Sequence, residues 1–266
     1  MRRHFHKMHG LGNDFVIVDA RDEAFDVTPS LAKAIADRRT GIGCDQLILL
    51  EPSERADLRM RIWNSDGGEV ESCGNATRCV VQLTGATRID SDGGLLEGAN
   101  LGAEVQVSIG EPRFGWDEIP LAYAMDTAPM PMAWDGLAHP IALNVGNPHL
   151  VFFVDDVNDV ALEELGPRIE ADSAFPERIN VNVAELDSDG LRLRTWERGA
   201  GLTLACGTGA CAAAVAAIKT KGASSPLQVT MPGGTLGIAW SPGEPIRMRG
   251  GATHVFEGEF DLDALA

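Results

Sequence analysis

One stretch of this 266-residue chain occurs twice. Ser72-Cys73-Gly74-Asn75-Ala76-Thr77-Arg78-Cys79 returns as Ala205-Cys206-Gly207-Thr208-Gly209-Ala210-Cys211, with the leading cysteines 133 residues apart (206 − 73). Arg59-Met60-Arg61-Ile62-Trp63-Asn64 and Arg192-Leu193-Arg194-Thr195-Trp196-Glu197 keep the same offset, 196 − 63. Gly12-Asn13-Asp14-Phe15-Val16-Ile17-Val18 and Gly146-Asn147-Pro148-His149-Leu150-Val151-Phe152 differ from it by one residue, 146 − 12. Anchors recurring at one spacing mark a duplicated unit, and a duplicated chain must fold so that one plan serves both halves. Pro129, Pro131 and Gly136 interrupt any regular pattern where the halves meet. The expected organisation is an N-terminal half over 1–119, to which 253–266 return, and a C-terminal half over 120–252, with a site in the cleft between them.

Each half carries the same order of signals. A β-branched strand follows the Gly-Asn turn (15–19 and 150–155), and a polar helix comes next (30–39 and 160–169), the first with Thr28 or Ser30 to cap it. Alternating strands lead to Trp63 and Trp196, and each Cys-Gly turn then opens a helix (74–83 and 207–219). The second of these reads Ala210-Cys211-Ala212-Ala213-Ala214-Val215-Ala216-Ala217-Ile218, apolar all round, and such a helix must be buried all round. The simplest architecture is α+β, a helix enclosed by a curved sheet, made twice.

A net charge of −17 argues against nucleic acid and anionic membranes as partners. The N-terminus has no apolar stretch after its basic residues, and 204–218 is too short to span a bilayer. A soluble, cytoplasmic protein acting on a small molecule is expected. Five sparsely spaced cysteines are no disulfide framework.

Those cysteines carry the chemistry. Glycine after Cys73 and after Cys206 lets the turn bend tightly, and a helix N-terminus offers unpaired N–H groups and partial positive charge. A carboxylate can be held there, and a thiol there is expected to have a lowered pKa. A proton α to a carboxylate leaves only if preorganised donors stabilise the enediolate. Two such turns predict a matched pair: one thiolate removes the proton, and one thiol returns a proton on the opposite face. A single buried cysteine at a cap would mean little, since cysteine is often buried without function; its repetition makes the case. Cys44, Cys79 and Cys211 read as core. The C-x5-C and C-x4-C spacings lack a metal knuckle, and no metal site is expected. There is no Schiff-base lysine motif, Rossmann fingerprint or Walker loop, so no cofactor is expected. Asn13, Asn64, Asn147 and Asn180 sit near strand ends, and Glu197-Arg198 could hold an ammonium and a carboxylate together.

These stretches resemble the diaminopimelate epimerases. The resemblance runs through 7–15, 41–46, 61–67, Ser72-Cys73-Gly74-Asn75, 146–149, 178–181, 196–201 and Ala205-Cys206-Gly207-Thr208-Gly209, nearly the whole chain in order. It implies two pseudo-symmetric domains, each a mostly antiparallel sheet wrapped around a central helix. It implies cofactor-independent conversion of LL-2,6-diaminopimelate to the meso isomer, in lysine and peptidoglycan-precursor synthesis, by a homodimer. Cys73 and Cys206 would be the acid–base pair, and Gly74, Asn75, Gly207 and Thr208 would hold the reacting carboxylate. Asn13, Gln46, Asn64, Asn147, Asn180, Glu197 and Arg198 would line the substrate site. Cys44, Trp63 and the 120–140 connection depart from the usual family pattern, away from the proposed chemistry. The rivals are a proline or hydroxyproline racemase, a metal module built on Cys73, Cys79, Cys206 and Cys211, and a silent binding relative.

Overall fold

The computed structural model describes residues 2–71 and 73–265. Met1, Ser72 and Ala266 lie outside the described residues, and with them the serine that opens the first cysteine signature. The chain divides into two compact units, Met1–Ser108 with Gly250–Ala266, and Ile109–Arg249.

In the first unit the sheet runs in the order Thr253–Asp261, Arg2–Gly10, Asn13–Asp19, Gln46–Glu51, Leu58–Asn64, Arg88–Ser91, Gly94–Asn100, Val105–Gly110. Neighbours are antiparallel except Asn13–Asp19 with Gln46–Glu51 and Leu58–Asn64 with Arg88–Ser91, which are parallel. The second unit repeats the plan: Ile141–Asn144, Pro148–Phe153, Asn180–Leu186, Leu191–Glu197, Leu227–Met231, Gly234–Ala239, Ile246–Gly250. Its parallel pairs fall at the equivalent places, Pro148–Phe153 with Asn180–Leu186 and Leu191–Glu197 with Leu227–Met231. The repeat in the sequence is therefore a repeat of topology, with the last strand, Thr253–Asp261, added at the edge of the first sheet. The fold is α+β with mostly antiparallel sheets.

The central strands are buried on both faces, so they are apolar without alternation. In the first unit Val16, Val18, Leu47, Leu49 and Trp63 pack with Ala32 and Ile35 of the helix Pro29–Ala36. That helix is capped by Thr28, whose hydroxyl accepts from the Leu31 N–H. The intervening Phe15, Ile17 and Ile48 turn to the other face, towards the helix Gly74–Thr84. In the second unit Leu150, Phe152, Val181 and Val183 pack with Leu162, Leu165 and Ile169 of the helix Leu162–Glu170. Gly166 lets that helix lie against Trp196, since a Cβ there would meet the indole Cγ at 2.5 Å.

The helix Gly207–Lys221 touches the strands of its sheet from Ile141–Asn144 to Gly234–Ala239, and its residues Gly209 through Ala217 are all buried. Alanine and glycine at all but Cys211 and Val215 of that buried stretch let backbone and sheet approach closely. Gly85 and Gly222 end the two cysteine helices in left-handed conformation, at φ 73° and 71°. Among the described residues no helix is long and apolar enough to cross a membrane.

Candidate active site

Cys73 is the N-cap of the helix Gly74–Thr84, in extended conformation. Its carbonyl accepts from the Thr77 N–H at 2.9 Å and the Thr77 hydroxyl at 2.8 Å, which pins the turn. The first-turn N–H groups of Gly74 and Asn75 have no carbonyl within their own helix. The Cys73 thiol points to Asn13 Oδ1 at 3.8 Å, and Asn75 Nδ2 donates to the same oxygen at 3.3 Å. Asn13 in turn donates to Asp45 at 3.0 Å. Behind Asn75 stands the fully buried Arg78, whose Nη2 donates to Asn75 Oδ1 at 2.9 Å and whose Nε donates to the Gly251 carbonyl at 3.3 Å. A buried guanidinium close to a helix N-terminus adds to the positive potential there.

Strand register brings the other two first-unit candidates side by side. Gln46 pairs with Asn64 across neighbouring strands, and Gln46 Nε2 donates to Asn64 Oδ1 at 2.9 Å. Gln46 Oε1 is buried and has no partner among the described residues. A buried acceptor without a donor is costly, and a ligand N–H supplies one. Asp14, beside Asn13, would be raised by partial burial alone. Hydrogen bonds and charge from Arg38 and Lys7 instead hold it well below the usual carboxylate range.

In the second unit Cys206 caps the helix Gly207–Lys221 with its side chain, accepting from the Gly209 N–H at 3.3 Å. Its sulfur is 3.5 Å from the Thr208 hydroxyl. The sequence led to an expectation of a lowered thiol pKa at a helix N-terminus. Cys206 departs from it: burial pushes the thiol well up, and the nearby Glu197 carboxylate pushes it further, against the smaller pull of Thr208 and the Gly209 N–H. Desolvation of a thiolate outweighs the helix end here. Burial likewise raises Glu197, whose carboxylate accepts from the Thr203 hydroxyl at 2.5 Å and lies within hydrogen-bonding reach of the Cys206 thiol.

While Glu197 turns to Thr203 and Cys206, Arg198 is exposed, donating its N–H to Asn180 Oδ1 at 2.9 Å and Nη1 to the Glu177 carbonyl at 3.0 Å. Asn180 Nδ2 donates to the Pro148 carbonyl at 2.8 Å, so it ties together the starts of two parallel neighbouring strands. Asn147 Oδ1 is 2.9 Å from His149 Nε2, and Asn182 Nδ2 is 3.1 Å from His149 Nδ1. His149 is fully buried; desolvation, with a lesser push from the Arg198 charge, lowers its pKa to about 3, so it is neutral.

Several residues of these clusters escaped sequence reasoning: Asp45, Arg78, Asn182, Thr195, Thr203 and Glu170. Asn182 was findable, since it shares a strand face with Asn180. Glu170 was not, because it lies on a helix remote in sequence. This buried carboxylate accepts from Trp196 Nε1 at 2.7 Å and from the Gly199 N–H at 3.0 Å, and so fixes the loop that carries Arg198. Cys44 and Cys79 are core, as expected, with burial first among the causes that raise their thiols to about 11 and about 12. Cys211 is buried as well.

The sequence model of the family described as diaminopimelate epimerase matches residues 5–114 and 141–255. A diaminopimelate epimerase of Rhizorhabdus wittichii is 63% identical over 268 residues, covering 100% of this chain and 98% of its own. One of Sphingopyxis alaskensis is 61% identical over 263 residues, covering 98% of each chain. The chain belongs to the diaminopimelate epimerase family. Members of this family are amino-acid epimerases, and membership accounts for the run of motifs from one end of the chain to the other.

Solved structures outside the immediate family share the fold. A phenazine biosynthesis protein of the PhzF family from Bacillus anthracis superposes with a TM-score of 0.69 at 16% identity, over 98% of this chain and 100% of that one. A probable proline racemase from Agrobacterium radiobacter gives 0.65 at 14%, over 98% and 93%. At such identities the likeness is one of fold alone, and the diaminopimelate epimerase family is set apart from them by sequence.

Proposed function

We propose that this protein converts LL-2,6-diaminopimelate to meso-diaminopimelate by a two-cysteine acid–base mechanism that needs no cofactor. The observation that carries the reading is the equivalence of Cys73 and Cys206, each the N-cap of the helix that follows the same strands in two copies of one sheet. The relatives named diaminopimelate epimerase supply the substrate.

In this mechanism the first-turn N–H groups at Gly74, Asn75, Gly207 and Thr208 hold the carboxylate at the reacting carbon. They stabilise the charge that spreads onto it as the α-proton leaves. Burial and the nearby Glu197 carboxylate favour the thiol form of Cys206, which suits the residue that returns a proton. Cys73, open enough to meet a ligand and facing Asn13, is then the base in the LL to meso direction. Proton transfer back to the original face would return the starting isomer, so two separate acid–base groups are required. Asn13, Gln46, Asn64, Asn147, Asn180, Glu197 and Arg198 bind the remaining amino and carboxylate groups, and the unpartnered Gln46 Oε1 is the acceptor for one ammonium N–H. The same reading places the protein in lysine and peptidoglycan-precursor synthesis, in the cytoplasm, as a homodimer.

The test is proton NMR of the reduced protein with LL-diaminopimelate in D2O without added cofactor. Loss of the α-proton signal with growth of the meso isomer is expected. Exchange on L-proline with none on diaminopimelate would overturn the assignment.

A further inference from the structure

The first and last strands of the chain, Arg2–Gly10 and Thr253–Asp261, lie side by side and antiparallel. His6 faces Glu257 and Lys7 faces Phe256, but Met8 faces His254. Val255 is therefore an extra residue, a β-bulge in the last strand. Side chains alternate along a strand, so residues 254 and 257 would ordinarily point to opposite faces. The bulge cancels that alternation and turns His254 to the face that carries His6 and Glu257.

The result is a cluster of ligating atoms drawn from both ends of the chain. His6 Nδ1 is 3.2 Å from His254 Nε2 and 3.5 Å from Glu257 Oε2, and one ligating atom from each of the three lies within 4.8 Å of the others. Two imidazole nitrogens bound to one tetrahedral zinc at about 2.0–2.1 Å stand about 3.3–3.4 Å apart. The two rings are thus already at chelating separation. We propose that His6, His254 and Glu257 form a binding site for a divalent transition-metal ion of the zinc type, with water completing the tetrahedron.

His4, two residues from His6 on the same face, sets its Nε2 3.7 Å from Glu257 Oε2. A bound ion would tie together strands whose ligands are 248 residues apart. Because the unfolded chain does not hold those ligands together, metal binding stabilises the folded state by mass action.

Titration of the reduced full-length protein with Co2+ tests this, since cobalt reports its ligands by colour. The expected result is saturable binding of one equivalent, displaced by Zn2+, with visible d–d bands and no thiolate-to-cobalt charge-transfer band. His254→Asn and Glu257→Gln should each weaken it by about tenfold or more, abolish the zinc-dependent rise in Tm, and leave epimerase turnover in chelator unchanged. A charge-transfer band with affinity unaltered in both variants would assign the metal to the cysteines and overturn the proposal. Absence of saturable binding would overturn it as well.

Discussion

Gly209 lies so close to Asn182 that a Cβ on it would stand 2.7 Å from Asn182 Oδ1. The same atom would be 3.0 Å from Thr195 Oγ1 and 3.2 Å from Cys206 Cβ. Asn182 cannot give way cheaply. It accepts from the Thr195 hydroxyl at 2.9 Å, donates to the Leu150 carbonyl at 2.8 Å and is completely buried. Glycine after the second cysteine turn is thus a packing requirement that also sets the Cys206 cap. Gly209→Ala is expected to destabilise the protein by about 1–3 kcal/mol, the usual penalty for overpacking. It should also lower kcat, because the N–H that reaches Cys206 moves. Chemical denaturation and steady-state kinetics check the two effects separately.

Replacing either proposed acid–base residue should stop turnover. Cys73→Ala and Cys206→Ala are each expected to lower epimerisation by at least about 10²-fold, with circular dichroism and Tm close to wild type. α-Proton exchange in D2O is the readout. Full turnover by either single variant would remove the two-base mechanism.

Glu197 raises the Cys206 thiol pKa by its charge and by the hydrogen bond between them. Glu197→Gln takes away that charge, so the Cys206 pKa should fall, and alkylation by iodoacetamide should begin at lower pH than in wild type. Mass spectrometry of the Cys206 peptide after timed labelling follows this one thiol among five. An unmoved profile would show that burial alone sets the value.

His149 is buried neutral, with its pKa lowered to about 3 from 6.5. The unfolded chain binds this proton more readily, so stability is complete above pH 6.5 and is lost progressively as pH falls towards 3. Between pH 7 and pH 5 the loss from this group is about 2 kcal/mol at 1.36 kcal/mol per unit. Urea denaturation at the two pH values measures it. His149→Gln, whatever its own stability, should flatten that part of the pH dependence.

Much of the site could be read from the sequence because it is local. Cys73 with Gly74 and Asn75, and Cys206 with Gly207 and Thr208, are contiguous, and a Cys-Gly turn before a helix places the cysteine at the N-cap and the next two residues in the first turn by backbone geometry alone. Asn64 and Gln46 were marked one by one, but their hydrogen bond depends on register between strands. Arg78 looked like an ordinary helix residue, and only its complete burial next to Asn75 gives it a role. Glu170 gave no signal at all, since its partners Trp196 and Gly199 reach it through packing.

The internal repeat by itself determined that one topology would be made twice, because two stretches with the same apolar and glycine pattern have the same low-energy way to bury it. The apolar helix after Cys206 determined in the same way that a sheet must enclose it. Tertiary structure alone decided the state of the thiol. A helix N-terminus lowers a thiol pKa, whereas burial and an approaching carboxylate raise it, and the latter two depend on residues that converge only in the fold. It also decided where His254 points, for one extra residue in the last strand turns a side chain from one face to the other. Periodicity along a sequence carries local geometry, but the sum of long-range contacts around an ionisable group is set only when the chain has closed upon itself.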